Sequence, residues 1–258
     1  MLNFCLRKDK KAQVTLFVII AIVIVVLVVL FFSLNKKFNF IGRELSVKDS
    51  LENCINNRVG MVDSLLLRQG GISNPQHYLT YNGIKVAYLC YTEEYAKPCV
   101  NQQPLLKENI ERELTDFSFA NISSCVSQEK KRLESKGYSV TVSDLTKGDV
   151  SITLLPGRIL VNLNLALTAV KADKSEKIDG FKTYINSPAY EYAFLANKII
   201  NSEIENADFN QVLYMMLHRG IVVDKIRSNE YVLYKLQNRN SDKVFIFLIR
   251  NYPIPPGL

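Results

Sequence analysis

Cysteine and tyrosine are the residue types here with the most chemistry to offer. The chain carries five cysteines, at positions 5, 54, 90, 99 and 125. Four of them, Cys54, Cys90, Cys99 and Cys125, are separated by 35, 8 and 25 residues. Structural zinc sites are built from closely spaced C-x(2–4)-C pairs, which these spacings do not supply, so no metal is expected. Oxidation to two disulfides is the alternative chemistry, with three connectivities open on the count alone. The two histidines, His77 and His218, read as surface or capping residues. Glu93-Glu94 is an adjacent acid pair that reads as solvated, since a general acid and base need a substrate held between them. No H-E-x-x-H, Walker A, G-x-G-x-x-G or G-x-S-x-G element occurs. No catalytic, cofactor-binding or metal-ligating residue is therefore expected. Five tyrosines, Tyr78, Tyr81, Tyr88, Tyr91 and Tyr95, crowd residues 72–103. Each offers apolar area and a polar tip, which suits either a recognition surface or a half-buried loop. Asn121-Ile-Ser123 is a glycosylation sequon inside a predicted helix.

Which of these chemistries is available depends on where the residues reside, and the N-terminus speaks to that. Val14–Leu34 is 21 residues without a charge, rich in Ile and Val. A helix of that length covers about 30 Å, one hydrocarbon core. A secretory h-region is shorter and ends at small residues, whereas this run ends in FFSLNKKF. Arg7, Lys8, Lys10 and Lys11 precede it, favouring a cytoplasmic N-terminus by the positive-inside bias. The expected layout is a basic tail at 1–12, a transmembrane helix at 13–35 and a linker at 36–45. A helical part of an extracellular domain at 46–137 and an α+β part at 138–258 complete it. Cys5 then stays reduced. The other four lie in an oxidising space, with Cys90–Cys99 closing a short loop and Cys54–Cys125 joining two helices. The reading of Cys54 and Cys125 as small buried hydrophobes stays open beside it. The net charge is +7, of which the first 13 residues contribute +3. The remainder holds 28 basic and 24 acidic residues, too mixed in sign for a nucleic-acid footprint.

The segment KKA-QVTLF resembles the processing site of archaeal type IV pilin-like (class III) signal sequences. That resemblance implies cleavage between Ala12 and Gln13, with Thr15 at the usual Ser/Thr position. The family often carries Glu where this chain has Phe17. More broadly, Cys54, Gln69-Gly70-Gly71, Cys125, Gly137-Tyr138 and the strand Val244–Arg250 resemble a family of uncharacterised membrane-anchored surface proteins of small-genomed archaea. That likeness implies no particular activity.

The elements that must position these residues follow from periodicity. Ser46-Val-Lys-Asp49 reads as a capped helix start, and Val47, Leu51, Cys54, Ile55, Val59, Val62, Leu65 and Leu66 fall mainly on one face. Gly70-Gly71 supplies its left-handed stop. A short strand is expected at Ile84–Tyr91. A second helix is expected over Pro104–Ser135, open to a break near Phe117–Asn121. Its stripe is Leu106, Ile110, Leu114, Phe117, Ile122, Cys125, Val126 and Leu133, with Glu129–Glu134 on a solvated face. The period then turns to two. Val150, Ile152 and Leu154 lead through Pro156-Gly157 to Ile159, Val161, Leu163, Leu165 and Leu167, an antiparallel hairpin. Lys171–Lys177 reads as a charged turn before a strand at Ile178–Ile185. Ser187-Pro188 opens a third helix, and Asp208 with Gln211 caps a short fourth. Strands Ile221–Ile226, Tyr231–Leu236 and Val244–Ile249 close the chain. The fold class is α+β with a helical pair and an antiparallel sheet, following one transmembrane helix.

The functional expectation is a single-pass membrane-anchored extracellular binding or assembly module. Its partners would be the lipid bilayer and a protein or cell-surface component, with homo-oligomers through the membrane helix also open. A cleaved pilin-like subunit and an anchored hydrolase are the alternatives. No cofactor and no nucleic acid are expected.

Overall fold

The computed structural model describes residues 19–28, 46–172 and 174–252. Residues 19–28 form helix α1, exposed along its whole length. The rest of the expected 13–35 helix, the tail at 1–12, the linker at 36–45 and the junction Ala12-Gln13 lie outside the described residues. Among the described residues, no helix is long and apolar enough to cross a membrane. The residues from Val47 onward make a separate compact unit.

That unit begins with α2 (Val47–Arg68), which buries Val47, Leu51, Ile55, Val59, Leu66 and Leu67 in one stripe. Leu65 is 50% exposed, and Asp63 takes a core place instead. The acid can sit there because Lys243 and Ser187 meet it (below). The helix stops at Gly70-Gly71, both at positive φ. Gly71 N–H donates to Leu66 O at 2.8 Å and Gly70 N–H to Leu67 O at 3.4 Å, a Schellman closure. A Cβ on Gly71 would stand 2.6 Å from Ile110 Cγ1, so this glycine also lets the next long helix approach. That helix, α3 (Leu106–Ser135), is continuous for 30 residues, with no break at 117–121. The stripe runs through Ser118, not Phe117, which is 51% exposed. A spacing of four from Leu114 selects Ser118. Glu129, expected on a solvated face, is 4% exposed and buried between Ser50 and Arg132. Gly137 ends α3 by a second Schellman closure.

Two sheets flank the helices. The first has strand order β1-β2-β10-β9-β8, with β3 also on β2. Its strands are β1 (Tyr78–Tyr81), β2 (Ile84–Tyr91), β3 (Val100–Asn101), β8 (Ile221–Arg227), β9 (Val232–Asn238) and β10 (Val244–Arg250). The β2–β10 pairing is parallel and every other pairing antiparallel, so the expected antiparallel sheet is in part mixed. The second sheet is built on the long hairpin β6 (Arg158–Lys171) and β7 (Lys174–Asn186). The short strands β4 (Ser139–Val142) and β5 (Val150–Leu155) share the other edge of β6. Gly157, at φ 73°, turns β5 into β6. The charged segment 174–177 extends the strand pairing instead of forming a turn, because exposed backbone pairs without needing apolar side chains.

Helix α4 (Ala189–Asn206) and the short α5 (Gln211–Leu217) complete the unit. Asn210, not Asp208, caps α5, its side chain accepting from Leu213 N–H at 2.9 Å. Asp208 is instead drawn to Lys225 and Arg227. Helix α2 packs on both β7 and β10, and α4 on both β5 and β10, so one apolar core runs between the sheets. Residues on both sides of position 137 contribute to it.

Candidate recognition surface

The parallel β2–β10 pairing places Arg250 opposite Tyr91 and Ile249 opposite Cys90. A cluster of rings grows from that register. The His77 ring stacks on Tyr91 with centroids 4.0 Å apart and planes 12° from parallel. The Arg250 guanidinium stands 5.5 Å from the Tyr91 ring centre and 5.6 Å from that of Tyr252. It also donates to both hydroxyls, Nε to Tyr252 at 3.3 Å and Nη1 to Tyr91 at 3.4 Å. Tyr88 meets Tyr91 edge-on at 5.4 Å, and Tyr95, 80% exposed, lies 4.8 Å from Tyr252. Cation–π contacts of this kind contribute about 0.5–1 kcal/mol each at exposed sites. Together they hold the rings in a fixed array.

The electrostatics follow. Tyr252's hydroxyl, ahead of the Tyr91 contacts, pushes the Arg250 pKa above its ordinary range. Burial pushes Tyr88 up, with Arg250 opposing. Partial desolvation and then the bond to Glu93 (Tyr91 Oη to Oε1, 3.0 Å) push Tyr91 up. Both phenols therefore stay neutral donors through the physiological range.

Backbone constraints keep the array rigid. Cys90 and Cys99 are joined, with Cα atoms 5.4 Å apart, and the bond pins loop 91–98 beside β2 and β3. Closing so short a loop contributes about 2.6 kcal/mol through chain entropy. Asn251 Oδ1 accepts from Cys99 N–H at 2.8 Å, and its amide donates to Glu203 O on α4. The second disulfide, Cys54–Cys125, staples α2 to α3 across 71 residues.

Beside the rings opens a cleft of about 280 Å³. It is lined by Asn74, Gln76, Gln102 and Gln103, by His77 and Tyr88, and by the apolar Ile72 and Pro75.

Three of the five expected tyrosines thus come together: Tyr88, Tyr91 and Tyr95. Tyr78 lies apart under Lys85, whose Nζ is 4.4 Å from its ring centre. Tyr81 lines a separate groove beside α5. Arg250 and Tyr252 were not among the expected site residues. Their signal in the sequence, RNY after an apolar strand, acquires meaning only from the non-local β2–β10 pairing. Glu93 and Glu94 do not converge: one takes the Tyr91 hydroxyl, the other Lys97. His218 stacks on Tyr214 at 4.1 Å near the end of α5. Asn121 lies within unbroken α3, its amide 3.5 Å from Phe117 O. Among the described residues, no group of three or more His, Cys, Asp or Glu could hold a metal.

Two buried polar clusters belong to the scaffold. Asp63 accepts from Ser187 Oγ at 2.7 Å and Lys243 Nζ at 2.6 Å, tying α2 to the start of α4 and to β10's approach. Glu203 meets Lys225 at 2.8 Å and takes the Tyr234 hydroxyl, tying α4 to β8 and β9. Ser187 is 3% exposed, so this serine offers no reachable nucleophile.

Comparison of the chain with models of known protein families, with curated proteins and with solved structures gave no match.

Proposed function

We propose that this chain is a single-pass membrane protein whose domain from Val47 onward faces the outside of the cell and binds a partner there. The observation that carries the reading is the half-buried ring array of His77, Tyr91, Arg250 and Tyr252 with the exposed Tyr95, beside the Cys90–Cys99 bond. Tyr and Arg in fixed geometry form a surface that binds with little ordering cost, and they dominate recognition interfaces. The uncharged run Val14–Leu34 supports the anchor. The basic residues before it support a cytoplasmic N-terminus. Two disulfides fit an oxidising compartment.

A photocrosslinking amino acid at Tyr95, in intact cells, tests the reading. Crosslinks to a surface component that disappear on Arg250→Ala are expected. Absence of any crosslink, or protection of the domain from added protease until the cells are lysed, refutes it. The KKA-QVTLF segment supports a second reading, a processed pilin-like subunit. N-terminal sequencing of protein from native membranes separates the two: a start at Met1 sustains the anchor, and a start at Gln13 sustains the subunit.

A further inference from the structure

The cleft beside the ring array has an unusual lining for its size. Four carboxamide residues and two aromatic ones line it beside Ile72 and Pro75, and no Asp, Glu, Lys or Arg does. Two of the amides are already oriented. Gln102 Nε2 donates to Val100 O at 2.9 Å, which leaves its Oε1 as an acceptor. Gln103 Oε1 accepts the Asn109 amide, which leaves its Nε2 as a donor. The backbone under them is fixed: Gln102 N–H donates to Leu89 O and Gln103 N–H to Asn101 Oδ1, both at 2.8 Å. The opposite wall is tied in by Tyr88 N–H to His77 O at 3.0 Å and Ser73 N–H to Glu113 at 3.2 Å. Asn74 and Gln76 are exposed at the rim, and their side chains make no bond among the described residues.

We infer that this cleft binds a neutral, polyhydroxylated ligand, a sugar ring of a glycan. The inference rests on the recognition-surface reading above and names its ligand class. A fixed acceptor beside a fixed donor matches neighbouring hydroxyls, each of which gives one bond and takes another. Ring faces at His77 and Tyr88 suit the C–H face of a pyranose. The lining holds no Lys or Arg to counter an anion and no carboxylate to hold a metal. A wholly apolar ligand would cover the half-buried Gln102 and Gln103 amides without pairing them, which costs free energy. The volume, about 280 Å³, is just below the range for drug-sized ligand clefts, about 300–1,000 Å³, which fits one ring and not an extended peptide.

The test uses the full chain in lipid nanodiscs free of sugar-headed detergent. Saturation-transfer NMR is run against glucose, galactose, mannose and N-acetylglucosamine and their short oligomers, with glucuronic acid as the charged control. Transfer to at least one neutral saccharide is expected. Gln103→Ala should weaken it about tenfold, the loss of one well-made bond. Gln103→Glu, which keeps shape but removes the donor, should do the same, and Tyr184→Ala, an exposed ring on β7 of the other sheet, should leave it unchanged. No transfer to any neutral saccharide, equal binding of glucuronic acid, or indifference to both Gln103 variants overturns the inference. Crosslinking at Tyr95 reads the recognition surface separately. Crosslinks without saccharide binding would overturn the ligand class alone, and loss of both would overturn the surface as well.

Discussion

Removing the two disulfides one at a time should separate them by the length of chain each one closes. Cys54–Cys125 spans 71 residues and Cys90–Cys99 spans 9. In the chain-entropy description, the restriction on the unfolded state grows with the logarithm of that span. The long bridge is then worth about 4.4 kcal/mol and the short one about 2.6 kcal/mol at 25 °C. Cys54→Ala/Cys125→Ala should therefore cost about 2 kcal/mol more than Cys90→Ala/Cys99→Ala. The packing loss is similar in the two variants, because each deletes two sulfur atoms. The assay is urea unfolding of the full chain in nanodiscs, followed by the tyrosine signal, with the midpoint and slope fitted separately. A short-bridge variant as damaged as the long-bridge variant would refute the reasoning. It would mean that local anchoring of loop 91–98, not the constraint on the unfolded chain, governs the contribution.

Further perturbations read other parts of the scaffold. Burial raises the Asp63 pKa despite Lys243, whereas Lys225 and Arg227 together outweigh burial and lower that of Asp208. Asp63 should therefore lower stability as pH rises from about 3.8 toward its folded value, because the folded state holds the proton longer. Asp208 contributes stability above about 3.8, and that contribution is lost as pH falls through its lower folded value. Asp63→Asn and Asp208→Asn should thus change the slope of the acid limb of a stability–pH curve in opposite senses, measured by urea midpoints from pH 3 to 6. At pH 7, Asp63→Ala should destabilise by about 3–5 kcal/mol, since Lys243 loses its partner in a site 12% exposed. Gly71→Ala should cost more than Gly157→Ala by about 1–3 kcal/mol, because both glycines have positive φ but only Gly71 faces Ile110. Tyr192→Phe should cost about 1–3 kcal/mol. Its hydroxyl donates to Lys243 O and accepts from Asn238 N–H, both at 2.7 Å, and its burial lifts its pKa to about 12. Thermal unfolding of each variant checks both predictions.

Local signals carried far into this fold. The Gly70-Gly71 and Gly137 stops, the Pro156-Gly157 hairpin and the two-residue period of β6 are visible as sequence, because each depends on neighbours in the chain. Asn82-Gly83, both at positive φ, is a tight hairpin turn linking β1 to β2, and that dipeptide between apolar strands announces it. What could not be read was long-range. Asp63 looks like a surface acid until Lys243, 180 residues away, is brought to it. Glu129 looks solvated until Ser50 arrives from α2. The ring array was half legible: the tyrosines of 88–95 are clustered in sequence, but Arg250 and Tyr252 join them only because β10 lies parallel to β2.

The position of β10 has a further consequence for how the protein is made. This strand, among the last described residues, lies between β2 and β9 and joins the two halves of its sheet. Without residues 244–250, β1–β3 and β8–β9 are separate pieces, with the edge of β2 at Tyr88–Tyr91 that faces β10 unpaired. A chain stalled or cut before that point therefore presents an open apolar edge, the feature that promotes aggregation and marks nascent proteins for removal. Completion of the sheet thus waits on residues 244–250. The same strand delivers Arg250 to Tyr91, so the ring array and the closed sheet form together.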